Sequence, residues 1–142
     1  MTFQVIYASK ANEIYQDELE RILDQARQNN VANDITGVLV FVDNIFLQVL
    51  EGEQQKVLVL LDAIRNDKRH TDVKLIGQAK VEKRCFEDWA MAYVDLKKED
   101  MVDWFKLEGT KSMEQIIDIV EAEADVFPSY LKNLLNTIAA ND

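Results

Sequence analysis

Gln48 interrupts the apolar run Ile45-Phe46-Leu47-Gln48-Val49-Leu50. A primary amide in a buried strand must find partners for two donors and a carbonyl, or it costs a few kcal/mol. A solvent-facing glutamine is the simpler reading of the same residue. Tyr7 lies in the first apolar segment, and on its own it is core filling with a hydroxyl at the edge. If the first and third strands lie side by side, Tyr7 and Gln48 face each other. A phenol beside an amide is then a hydrogen-bonded pair whose direction can reverse. Asn29 and Asn30 close a helical segment. A helix terminus accounts for them, and so does an amide that binds the polar edge of a heterocycle. Trp89 and Met91 are two residues apart, so in a strand they share one face, either as ordinary core or flanking a ligand. Arg69 and His70, taken alone, read as a solvated basic turn.

The elements that must position these groups follow from hydrophobic periodicity. Residues 3–9 alternate as a half-buried strand, with Phe3, Val5 and Tyr7 on one side. Residues 15–29 read as an amphipathic helix presenting Leu19, Ile22, Leu23 and Ala26, with Asp17 and Glu18 near its positive end. Residues 37–42 and 45–51 are strands joined by Asp43-Asn44, a two-residue hairpin signal, and Gly52 ends the second. A second helix is expected over 54–66, with Val57, Leu58, Leu60, Leu61 and Ile64 as its apolar positions. Strands are expected over 73–81 and 89–94. The order βαββαββ predicts an α+β domain with a mixed, ferredoxin-like sheet and both helices on one face. Strands joined through a helix are expected to pair in parallel by right-handed crossovers. Short helices near 100–105, 112–124 and 129–139, the last two parted at Pro128, are expected to cover the opposite face. The chain thus divides into a core, 1–95, and a C-terminal helical extension, 96–142.

The 142 residues suit one globular domain with such an extension. Sixteen basic and 26 acidic residues give a net charge of −10, which repels phosphate backbones and anionic lipid and so argues against direct nucleic-acid or membrane binding. The single cysteine, Cys85, has no internal partner, and the single histidine, His70, argues against a dedicated metal site. Both fit a reducing cytoplasm. The first residues, MTFQVIYASK, lack the pattern of a secretory signal, and the longest apolar runs fall well short of a membrane span.

Six stretches, in order, resemble the BLUF family of blue-light sensors that use FAD: IYAS around Tyr7, ARQNN ending at Asn30, DITGVLVF, FLQVLEGE around Gln48, NDKRH and FEDWAM. DITGVLVF and FLQVLEGE are the most specific. The resemblance implies a non-covalent flavin, FAD with FMN or riboflavin as alternatives. It makes Tyr7 the electron and proton donor to the excited ring, and Gln48 the amide bridging that phenol and the ring. Asn30 becomes the residue bonding the ring's polar edge, with Asn29 beside it, and Asp67, Arg69 and His70 lie close to the flavin. Trp89 and Met91 match the tryptophan and methionine of the last core strand. Two positions depart from the pattern: Ala63 stands where the family often has arginine, and Asp34 where glycine is usual.

The resemblance implies a light switch rather than an enzyme. Residues 96–142 are too few for a cyclase or phosphodiesterase domain, so the expected output is altered binding to an unidentified downstream protein, with a homo-oligomer also expected. The competing reading is a light-independent ferredoxin-like module that binds proteins. A small hydrolase of the acylphosphatase kind is disfavoured, because Ala8-Ser9-Lys10-Ala11-Asn12 offers no arginine or glycine to cradle a phosphate.

Overall fold

A computed structural model describes residues 1–12, 14–106 and 112–141. The chain runs β1 (Thr2–Ala11), α1 (Gln16–Asn33), β2 (Thr36–Val42), β3 (Ile45–Gly52), α2 (Gln54–Arg65), β4 (His70–Val81) and β5 (Ala92–Leu96). Three helices follow: α3 (Lys98–Trp104), α4 (Met113–Ala122) and α5 (Phe127–Asn141).

The five strands form one mixed sheet in the order β4-β1-β3-β2-β5. The crossover expectation needs correcting here. β1 does not pair with β2, nor β3 with β4; β3 inserts between the first pair, β1 between the second, and β1 pairs with β3 antiparallel. The parallel neighbours are β2 and β5. The β2–β3 hairpin forms as its turn residues demand. Asp43 and Asn44 both adopt positive φ, at 47° and 64°, and Val42 pairs with Ile45. Gly37 is required where β2 closes on β3, because a Cβ there would collide with the Val49 carbonyl.

Alternation along the strands separates two cores. Phe3, Val5, Tyr7, Leu39, Phe46 and Leu50 face α1 and α2, meeting Leu19, Leu23, Val57 and Leu61. Ile6, Ala8, Val38, Val40, Leu47 and Val49 face the other way, onto Met101, Ile116, Val120, Phe127 and Leu131 of the C-terminal helices. Both helix layers therefore sit where the periodicity put them. Pro128 lies in the first turn of α5 rather than between helices; proline fits there because that N–H has no helical partner.

Two boundaries that matter for the site differ from the sequence expectation. α1 runs a full turn past Asn29-Asn30 and ends at Asp34, which holds the left-handed cap at φ 54°. Glycine favours that conformation, and aspartate tolerates it. The Asp34 carboxylate and carbonyl also accept from Arg84. β5 starts at Ala92, not at Trp89, because residues 86–89 are still turning: the Trp89 N–H bonds the Phe86 carbonyl.

The β4–β5 connection is anchored by Glu51, a fully buried carboxylate on the face opposite α1 and α2. It accepts from the Cys85 and Phe86 amides at 2.7 Å each, from Gln4 Nε2 at 2.9 Å, and from Thr36 Oγ1 at 3.4 Å. These donors supply the compensation a buried charge needs.

Candidate functional site

Tyr7 and Gln48 are direct cross-strand partners, and Leu39 of β2 pairs with Gln48 from the other side. The three form a row on the sheet face beneath α1 and α2. Beside Tyr7 the β1–β4 register slips, since Ile6 pairs with Gly77 but Tyr7 with Leu75. Irregularities of this kind re-aim side chains near functional sites. Tyr7 is 2% exposed and Gln48 6%. Gln48 thus faces inward, and the solvent-facing reading falls away.

The phenol of Tyr7 donates to Gln48 Oε1. The same amide's Nε2 donates to Met91 Sδ at 3.4 Å. Burial, with the charge of Asp67 adding to it, pushes the Tyr7 phenol far above its ordinary value. The hydroxyl therefore stays protonated at any physiological pH. It can surrender its proton only when it also loses an electron, and Gln48 Oε1 is the acceptor that lies against it.

Above this row, between α1 and α2, opens a cleft of about 210 Å³, many times the room that one water needs. Ile22, Ala26, Leu39, Phe46, Leu60 and Ile64 give it apolar walls, while Tyr7, Gln48 and Asn30 supply polar groups. Asn30 is 1% exposed. Its Nδ2 donates to the Ala90 carbonyl at 2.6 Å, and since a carbonyl can only accept, this contact fixes the orientation of the amide. Asn30 Oδ1 is left buried without a partner. An orphaned acceptor on a cleft wall asks for an N–H from a ligand. Apolar walls with a few convergent polar groups suit a flat heteroaromatic ring system carrying N–H and carbonyl groups along one edge, and a flavin has that edge.

At the cleft's mouth, Asp67 and Arg69 form a charged fork. Arg69 Nε lies 3.0 Å from both Asp67 oxygens, and its NH1 donates to Gln25 Oε1 at 3.1 Å. The guanidinium's hydrogen bonds hold the Asp67 carboxyl below its usual range, and the Asp67 partner holds Arg69 above its own. His70 Nε2 lies 2.6 Å from the Ile64 carbonyl and must donate to it, while Nδ1 lies 2.8 Å from Ser9 Oγ. Its ring stands edge-on to Phe46.

Of the residues singled out from sequence, Tyr7, Asn29, Asn30, Gln48, Asp67, Arg69 and His70 all line this one cleft. Asn29 is exposed at the rim and accepts from Asn33. Trp89 and Met91 do not share a face. Met91 lies in the core beneath α1 and α2, whereas Trp89 packs against the opposite core beside Phe86. The shared-face expectation assumed extended backbone from residue 89, and the chain becomes a strand only at Ala92. Ala63 lines the cleft without offering a charge, and Arg65 points to solvent. Sequence reasoning missed Gln25, Leu39 and Phe46. Gln25 had a signal, because Ile22, Gln25, Ala26 and Asn29 recur at helical spacing on one face of α1. Among the described residues, no group of three metal-ligating side chains occurs and no helix is long and apolar enough to cross a membrane.

An apolar-walled cleft over a tyrosine–glutamine pair, on a ferredoxin-like sheet, points to a class of photosensor. The family described as "BLUF: Sensors of blue-light using FAD" matches residues 2–92, and the chain belongs to it. It is a flavin-binding blue-light sensor domain. The photoactivated adenylate cyclase subunit beta of Euglena gracilis is 36% identical over 75 residues, which is 52% of this chain and 9% of that protein. The chain therefore spans about a tenth of such curated relatives. The solved BlsA ground state superposes with a TM-score of 0.70 at 29% identity, covering 90% of this chain and 88% of that one. Klebsiella pneumoniae BlrP1, solved with FMN and cyclic diGMP, gives a TM-score of 0.65 at 25% identity over 87% of this chain and 35% of its own.

Proposed function

We propose that this chain holds its flavin between α1 and α2 and converts blue light into a rearrangement of the Gln48 hydrogen bonds, which changes its binding to another protein. The observation that carries this reading is the relay Tyr7 Oη–Gln48–Met91 Sδ, buried in the cleft floor. A bound flavin supplies absorption of blue light and, once excited, a strongly oxidising ring. The chain's residues do the rest. Ile22, Leu39, Phe46 and Ile64 exclude water, and Asn30 Oδ1 accepts from the ring's edge. Tyr7 can give up an electron and pass its phenolic proton to the Gln48 amide. When both return, no bond has been made or broken overall, but the amide is free to come back turned about its own axis. Its Nε2 then leaves Met91 Sδ, and the segment entering β5 registers the change.

In this reading residues 1–95 are the sensor and 96–142 the transmitter, since α3, α4 and α5 cover the sheet face away from the flavin. Asn29, Asp67, Arg69 and His70 frame the flavin at the cleft mouth. The protein works in the cytoplasm, in keeping with its one unpaired cysteine, and self-associates. Light scattering in darkness and under blue light is expected to give a mass above that of the 16.4 kDa monomer; a monomer in both conditions contradicts self-association.

Flavin retention tests the placement. Asn30→Leu removes the orphaned acceptor at little change in volume, and is expected to weaken flavin binding about tenfold or more, the worth of one or two hydrogen bonds in a buried site. The flavin-to-protein absorbance ratio after dialysis reads this, and a ratio equal to the parent's would move the ring edge away from Asn30.

A further inference from the structure

Met91 is gripped at both ends. Its thioether receives Gln48 Nε2 at 3.4 Å, and its backbone carbonyl receives Arg27 Nε at 3.1 Å. Arg27 and Asn30 stand three apart on α1, neighbours on one helix face. Their donors land on consecutive carbonyls, Met91 and Ala90. α1 thus clasps the segment just ahead of β5 at two points. One belongs to a cleft residue, and the other to an arginine that does not line the cleft. The chain elsewhere in this segment is irregular: Trp89 O accepts from Gly37 N ahead of the regular β2–β5 ladder. The Met91 carbonyl therefore owes its place to the α1 clasp.

We propose that Arg27 is a positioning residue for the switch: by pinning the Met91 carbonyl it holds the thioether against the Gln48 amide, and so sets how readily the turned amide returns. This rests on the relay described under the proposed function. In this proposal the pin is a contact of the dark arrangement that re-forms as the amide turns back. Removing a contact that re-forms on the way back raises the barrier to return, so the light-induced state lasts longer.

Two neutral variants isolate the hydrogen bond from the charge. In Arg27→Gln the amide Nε2 sits the same number of bonds from Cα as arginine Nε and can still donate. In Arg27→Met a methyl group occupies that place and cannot. Each variant is loaded with flavin, illuminated, and followed in darkness as the red-shifted absorbance decays. The Met variant is expected to relax about three- to tenfold more slowly than the parent, the fold-change that one net hydrogen bond supports, with the Gln variant within about twofold of the parent. Equal change in both variants, or none in either, overturns the pin. Amide hydrogen exchange over Ala92–Leu96 gives a second readout that needs neither light nor flavin: faster exchange in the Met variant alone is expected, and identical exchange overturns the proposal. A parent protein without any red shift would defeat the sensor reading, and the exchange comparison would still decide the role of Arg27.

Discussion

Tyr7→Phe is expected to leave the flavin bound and to abolish the red-shifted state. Phenylalanine fills the same space in the floor of the cleft, among Val5, Leu39, Phe46 and Leu50, so the walls that hold the ring survive. The hydroxyl is what goes. It is the group that donates to Gln48 Oε1, and burial keeps it protonated until it is oxidised. Without it the cleft floor has no coupled source of an electron and a proton, and the Gln48 amide has no donor to turn against. Absorption spectra before and during blue illumination measure the effect. A normal shift in this variant would end the assignment of Tyr7 as donor.

Gln48→Leu is expected to remove the shift by a different route, and to cost stability as well. Leucine matches the strand's apolar pattern and the size of the amide, but it can neither accept from Tyr7 nor donate to Met91. The buried Tyr7 hydroxyl loses its only protein partner among the described contacts, at a cost of about 1–3 kcal/mol unless a ligand atom replaces it. Tyr7 can still be oxidised in this variant, so rapid flavin quenching persists while the stable shifted product does not form. That pairing separates the relay from the donor. An unchanged red shift in Gln48→Leu would rule out the amide as the switch.

Much of this arrangement was legible in the chain, and the gaps have physical causes. Asp43-Asn44 encodes its turn locally, because both residues tolerate positive φ, and the hairpin forms as read. The two helix layers follow from alternation in β1, β2 and β3, which is a local property too. The inward direction of Gln48 was open on sequence grounds. An amide in an apolar strand fits either face, and only the antiparallel register of β1 with β3 sets it opposite Tyr7. The same register replaced the expected parallel pairing, since a crossover fixes the direction of the returning strand but not its neighbour. The placement of Trp89 failed because strand periodicity was applied to residues that are still in a turn. Glu51 was invisible as a clamp: its donors come from residues 4, 36, 85 and 86, and such contacts leave no periodic trace. The contact of Arg27 with Met91 spans 64 positions and is hidden for the same reason.

The central claim is that light turns the Gln48 amide between Tyr7 and a bound flavin with no net chemistry. The most direct test is the visible absorption of the protein, purified in dim red light, before blue illumination, during it, and after return to darkness. A flavin spectrum that moves slightly to the red and recovers fully in the dark is the predicted result. Flavin that bleaches, or that shows no shift at all, would contradict the account.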